Sequence, residues 1–142
     1  MIEIIAVLCA GTFFGAALYI NLAQHPATLD TGGDFASKFF PPMYAKASTL
    51  QIALAVGGTV LGVISWSISG DIYWLIGAVF LVSVVPITIF IIKPINDQLL
   101  DSANKLEPEA VVALLKQWNP RHWVRSGVSF VAFFCYILAI SA

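Results

Sequence analysis

Long uncharged stretches, broken by short polar segments, frame this chain. Ile4 to Leu29, Ala47 to Gly70, Ile72 to Ile92 and Ser126 to Ala142 carry no charged side chain. A helix needs roughly 20 mostly apolar residues to cross a bilayer, with a lower limit near 17. All four stretches qualify. The pattern predicts an all-α, four-transmembrane-helix bundle, a single integral membrane domain over residues 1–142. The spans are expected at about 2–23, 43–69, 72–93 and 120–141. The first is not read as a signal peptide, because Glu3 stands where basic residues are expected and no small-residue cleavage site follows.

Prolines punctuate the pattern. Pro26 biases His25 away from helical geometry, so span one is expected to stop near Gln24. Thr31-Gly32-Gly33-Asp34 is a loop signal within Thr28 to Phe40. Pro41 and Pro42 suit the first turn of span two. Pro86 predicts a kink in span three. Past Pro94, the spacing of Ile95, Leu99, Leu100 and Ala103 continues a helix out of the membrane. Glu107-Pro108-Glu109 reads as a new helix start. Val111, Leu114, Leu115 and Trp118 give that short amphipathic helix one apolar face, to lie on the membrane surface or pack on the base of the bundle. Asn119-Pro120 then caps span four.

A faint repeat accompanies this order. Pro41-Pro42-Met43-Tyr44-Ala45-Lys46-Ala47 aligns with Pro120-Arg121-His122-Trp123-Val124-Arg125-Ser126, and Asn21 is echoed by Asn96. Two repeated helical hairpins would give this, and so would shared helix-start chemistry.

Composition sharpens the class. The chain is 59% hydrophobic and 11% charged, where a soluble domain carries about 25% charged residues. A small domain has too much surface to hide such a deficit in its core. The net charge of −1 argues against a nucleic-acid partner. Lys38 and Lys46 lie between spans one and two; Lys93, Lys105, Lys116, Arg121 and Arg125 lie between spans three and four. Both connections share one side of the membrane. The positive-inside rule makes that side cytoplasmic and both termini extracytoplasmic, as expected for a bacterial inner-membrane protein. Trp66, Tyr73 and Trp74 flank the outer turn, and Trp118 and Trp123 the inner end of span four.

The polar residues gather at the basic end. Asn21, Gln24, His25, Tyr44, Lys46, Asn96, Asp97, Trp118, Asn119, His122 and Arg125 all belong there. His122, Arg125, Ser126 and Ser129 form one stripe on span four, which should face the bundle interior. The expected result is one pocket, bordered by both histidines, for an amphiphilic or planar aromatic ligand that partitions into the membrane. His25 and His122 with Asp97 or Asp101 would make a facial triad for iron, but no metal-ligand spacing is present, and the site is read as metal-free. Bis-histidine haem is disfavoured by the position of His25 at a helix end. Cys9 and Cys135 fall at similar depth and read as small packing residues. Gly11 and Gly15 form a small-xxx-small patch, a contact between helices or between protomers of a homo-oligomer.

Four segments together resemble the anthrone oxygenase family of membrane proteins: Gly15 to Leu29 (GAALYINLAQHPATL), Pro42 to Gln51 (PMYAKASTLQ), Pro94 to Leu99 (PINDQL) and Leu115 to Gly127 (LKQWNPRHWVRSG). Asn21, Gln24, His25 and Pro26 stand in the family's asparagine and His-Pro places, and its tryptophan, histidine and arginine fall on Trp118, His122 and Arg125. The resemblance implies oxidation of a lipophilic aromatic or quinol-like substrate by molecular oxygen, without flavin, haem or metal. It points to His122, His25 and Arg125 as catalytic residues. Asn21, Gln24, Tyr44, Lys46, Asn96 and Trp118 would bind substrate. His122 is the better candidate base, and His25 would orient the substrate. Arg125 or Lys46 would hold the substrate anion. The alternative is a non-catalytic membrane subunit or assembly factor, whose pocket takes lipid or a partner helix. A small transporter is a third reading, favoured by the repeat and by Pro86.

Overall fold

A computed structural model describes residues 1–101 and 106–142. Ala103 and Lys105, which figured in the helix pattern and the charge count, lie outside the described residues. Four long helices form the bundle: α1 (Ile2–Asp30), α2 (Gly33–Ser69), α3 (Ile72–Leu100) and α4 (Pro108–Ser141). Each is long and apolar enough to cross a membrane. The chain is an integral membrane helical bundle. Its outward faces carry apolar side chains such as Leu8, Ile52, Val56 and Phe90, which lipid would cover.

The helices run longer than the prolines suggested. α1 does not stop near Gln24 but continues through Pro26 to Asp30. It does so through a π-turn at Ile20–Gln24. Proline lacks an N–H and its ring crowds the carbonyl four residues back; widening the preceding turn relieves both problems. α3 does the same, with a π-turn at Thr88–Ile92 directly before Lys93-Pro94. Pro41 and Pro42 lie inside α2 rather than opening it. Likewise Asn119 and Pro120 lie inside α4, so the short amphipathic helix and span four are one unbroken helix. Its apolar face packs on the base of the bundle, where Val111, Leu115 and Trp118 are buried.

Turn chemistry is simple by contrast. Gly32 takes φ 88° and is the hinge between α1 and α2. Gly70 ends α2 with φ 73°, and Asp71 caps α3 by accepting from Tyr73 N at 2.9 Å. The core has two clusters. One, around Phe13, Trp74, Leu81 and Tyr136, fills the half near the termini. The other, around Phe40, Ile92, Leu115 and Trp118, fills the basic end. Glycines let the helices close: a Cβ on Gly62 or Gly77 would run into the Tyr136 ring, and one on Gly11 into Phe133. Tyr136 donates to Gly58 O at 2.9 Å, so its buried hydroxyl is satisfied.

Candidate functional site

Asn21, in the π-turn of α1, is the hub of a buried polar network. Its Nδ2 donates to Asn119 Oδ1 at 2.6 Å and approaches the Asn119 carbonyl at 3.5 Å. A carbonyl can only accept, so that contact fixes the amide with Oδ1 toward α4. There Oδ1 accepts from Ser126 Oγ at 2.6 Å and from His122 Nδ1 at 2.9 Å. His122 therefore carries its proton on Nδ1 in the neutral ring, leaving Nε2 as the lone-pair nitrogen. His25 is set the other way round. Its Nε2 donates to Leu115 O at 2.8 Å, and its buried Nδ1 has no partner.

Trp118 joins the two histidines. Its ring lies nearly parallel to both, with centroids 4.4 Å from His122 and 5.9 Å from His25. Its Nε1 donates to Asn96 Oδ1 at 2.7 Å. Phe40 meets the Trp118 ring edge-on and stacks in turn on Tyr44. Helices α1, α3 and α4 thus deliver Asn21, His25, Asn96, Trp118 and His122 to one place, as expected. The arrangement is a packed network rather than a pocket: His122 is 2% exposed and Asn96 1%.

The cavity lies next to it, on another face. About 490 Å³ opens between α2 and α3, with Arg125 of α4 at its wall. Tyr44 and Arg125 line it; neither histidine does. The expectation of one pocket bordered by both histidines is thus corrected: Asn21 and Trp118 fill the space between them. Arg125 lies over the Phe13 ring at 5.0 Å, a cation–π contact, and its buried Nε has no hydrogen-bond partner. Among the described residues no carboxylate pairs with it. Gln51, absent from the sequence-based candidates, also lines the cavity, 3% exposed and with an unpartnered Nε2. Its signal was present in the sequence as the only amide within the uncharged stretch of span two.

Other expected residues stand apart. Lys46 is exposed on a shallow surface groove beside Met43. Gln24 is half-buried, and its backbone carbonyl accepts from Thr28. Asp97 pairs with Lys93 at 2.6 Å on the surface, away from the histidines. Among the described residues no three His, Cys, Asp or Glu side chains converge on a metal-sized site.

The conjunction of an interior His–Asn–Ser network with a lipid-facing cavity and an unpaired arginine invites comparison with known proteins. The sequence profile of the anthrone oxygenase family matches residues 36–135. The chain belongs to the anthrone oxygenase family. The match takes in Tyr44, Gln51, Asn96, Trp118, His122 and Arg125, while Asn21 and His25 precede it. No curated protein and no solved structure gives a significant match.

Proposed function

We propose that this anthrone oxygenase family protein is a membrane oxidoreductase that binds a flat, lipophilic carbon acid in the cavity between α2 and α3. It would oxidise that substrate with molecular oxygen. The observation that carries the reading is Arg125, a cation that among the described residues has no carboxylate partner, at the wall of a largely apolar cavity. Such a group is suited to an enolate or phenolate oxygen, whose charge grows as the carbon acid is deprotonated.

His122 lies one helical turn before Arg125 and is the base of this proposal. Its Nε2 lone pair takes a proton from the substrate CH2. The carbanion, delocalised onto the oxygen at Arg125, gives an electron to O2. The resulting pair combines into a C–O bond, and the peroxide recovers the proton from His122. Loss of the second C–H proton to His122, with O–O cleavage, leaves C=O and hydroxide. Hydroxide takes that proton to give water, and the base is restored. The sum is CH2 plus O2 to C=O plus H2O. Apolar walls keep water from the charged intermediates. His122 stands behind the cavity wall, so the scheme requires the acidic carbon to reach past the guanidinium.

The test is oxygen uptake by the purified protein with anthrone. His122→Ala should abolish it while the protein stays folded in detergent. Arg125→Lys should lose less than Arg125→Ala, because charge persists while the planar fork is lost. No uptake by the wild type, or uptake that follows bound metal, would sink the mechanism. The non-catalytic subunit reading, with lipid in the same cavity, would then take its place. The proposal also puts the basic end in the cytoplasm and both termini outside; a reporter fused at Ala142 that is active in the cytoplasm would reverse it.

A further inference from the structure

The cavity has two properties that the arginine alone does not explain. The first is where it opens. Its rim is Ile52, Val56 and Val60 on α2 and Val82, Val85 and Ile89 on α3. All six are exposed apolar side chains on faces that lipid would cover. The second is the character of its unpaired polar groups. Among the described residues, Arg125 Nε and Gln51 Nε2 are buried obligate donors without acceptors, while the Thr59 hydroxyl, also on the wall and without a partner, can either donate or accept. A guanidinium has no acceptor atom, and leaving a buried donor unmade costs free energy. The wall is therefore short of acceptors at two places, contributed by two different helices. A ligand that completes it must bring acceptors to both.

We infer that the cavity takes its ligand sideways from the bilayer, and that this ligand is a flat lipophile carrying two acceptor oxygens, one held by Arg125 and the second by Gln51. Gln51 is a specificity-determining residue rather than a catalytic one. It separates molecules of one shape by whether they carry the second oxygen. A site built to hydrogen-bond a group rejects the analogue lacking it, because the site's own polar atom is then stranded. The inference rests on the cavity being the substrate site, and the experiment below separates the two.

The probes are 9,10-anthraquinone, anthrone and anthracene, which share a three-ring outline with two, one and no carbonyl oxygens. Each is equilibrated, under argon to prevent turnover, between empty lipid nanodiscs and nanodiscs holding the full-length protein. The excess in the loaded discs is the readout. Wild type should favour anthraquinone over anthrone, and anthrone over anthracene. Gln51→Met, similar in length but without the donor, should weaken anthraquinone about tenfold, the scale of one buried hydrogen bond. Anthrone should be unchanged, which also shows that the variant is folded. Arg125→Met should weaken both. Val85→Trp, which crowds the rim, should slow uptake of all three from the lipid. If Gln51→Met leaves the three-way order intact, or weakens anthrone as much as anthraquinone, the role of Gln51 is overturned; the substrate-site reading then stands if Arg125→Met still weakens binding. Equal partition of all three probes into wild type, as expected if water alone satisfies the donors, overturns both. An unchanged uptake rate in Val85→Trp overturns access from the bilayer.

Discussion

Replacing Asn21 by Leu removes the hub of the network while keeping its branched skeleton. Three hydrogen bonds disappear, and their costs differ. Ser126 Oγ has a second acceptor in the His122 carbonyl at 3.3 Å, and the half-buried Asn119 has access to headgroups or water. Each of those bonds is worth about 0.6 kcal/mol, the average for interhelical bonds within membranes. His122 Nδ1–H is different. The ring is 2% exposed, and no other acceptor faces Nδ1 among the described residues. Stranding it costs about 1–3 kcal/mol. The expected total is a loss of about 2–4 kcal/mol. Reversible unfolding in mixed micelles, followed by tryptophan fluorescence, would measure it. A double-mutant cycle with Ser126→Ala would isolate the Asn21–Ser126 pair, with a coupling of about 0.6 kcal/mol and no more than about 1.7. A loss under about 0.5 kcal/mol for Asn21→Leu would refute the reasoning, since it would mean that the network is not what holds α1 to α4 at this depth.

Two further outcomes follow from contacts already described. Nitrogen-15 spectra of histidine-labelled protein should show opposite neutral tautomers, His122 protonated on Nδ1 and His25 on Nε2; a proton on His122 Nε2 would remove its candidacy as the base. At Gly33 an added Cβ would strike the Pro108 backbone carbonyl, which cannot yield as a side chain would. Gly33→Ala should thus cost about 3 kcal/mol, at the upper end for overpacking. Gly15→Ala meets nothing within 4 Å and should be neutral or stabilising by up to about 1 kcal/mol. Equal melting temperatures for the two variants would contradict that contrast.

The spans and the clustering of Asn21, His25, Asn96, Trp118 and His122 were legible because both follow from periodicity and charge. Lipid forbids an unpaired backbone, so a long uncharged stretch has few structural options. The continuity of the helices was not legible. A proline suits a first turn and also suits an interior whose hydrogen bonds are rearranged, and Pro26, Pro41, Pro42 and Pro120 look the same in either role. The position of the cavity was hidden for a similar reason. Polar residues at one depth predict a meeting, but whether they meet as a packed network or around a void depends on side-chain volumes from four helices. Trp118 and Asn21 occupy the space that the sequence left open. Arg125, three residues beyond His122, looks out of the other side of α4's contact into the gap between α2 and α3.

The π-turn of α1 also changes which residues of that helix look inward. Before it, the buried positions are Ala6, Ala10, Phe13 and Ala17, spaced alternately four and three apart. The same rhythm continued through Ile20 would turn Gln24 and Ala27 inward. Instead the buried residues are His25 and Thr28, one step later. The turn works as a phase shifter: it admits one residue more than a regular helix would, and everything downstream is rotated by about 100° relative to an unbroken helix. His25 faces α4 only because of that offset. Straightening Ile20–Gln24 into regular helix at full length would turn the imidazole toward lipid, whereas excising one residue along with the bulge would restore its inward phase. In this helix the irregular turn, rather than the regular hydrogen-bond ladder, sets which side chain the bundle encloses.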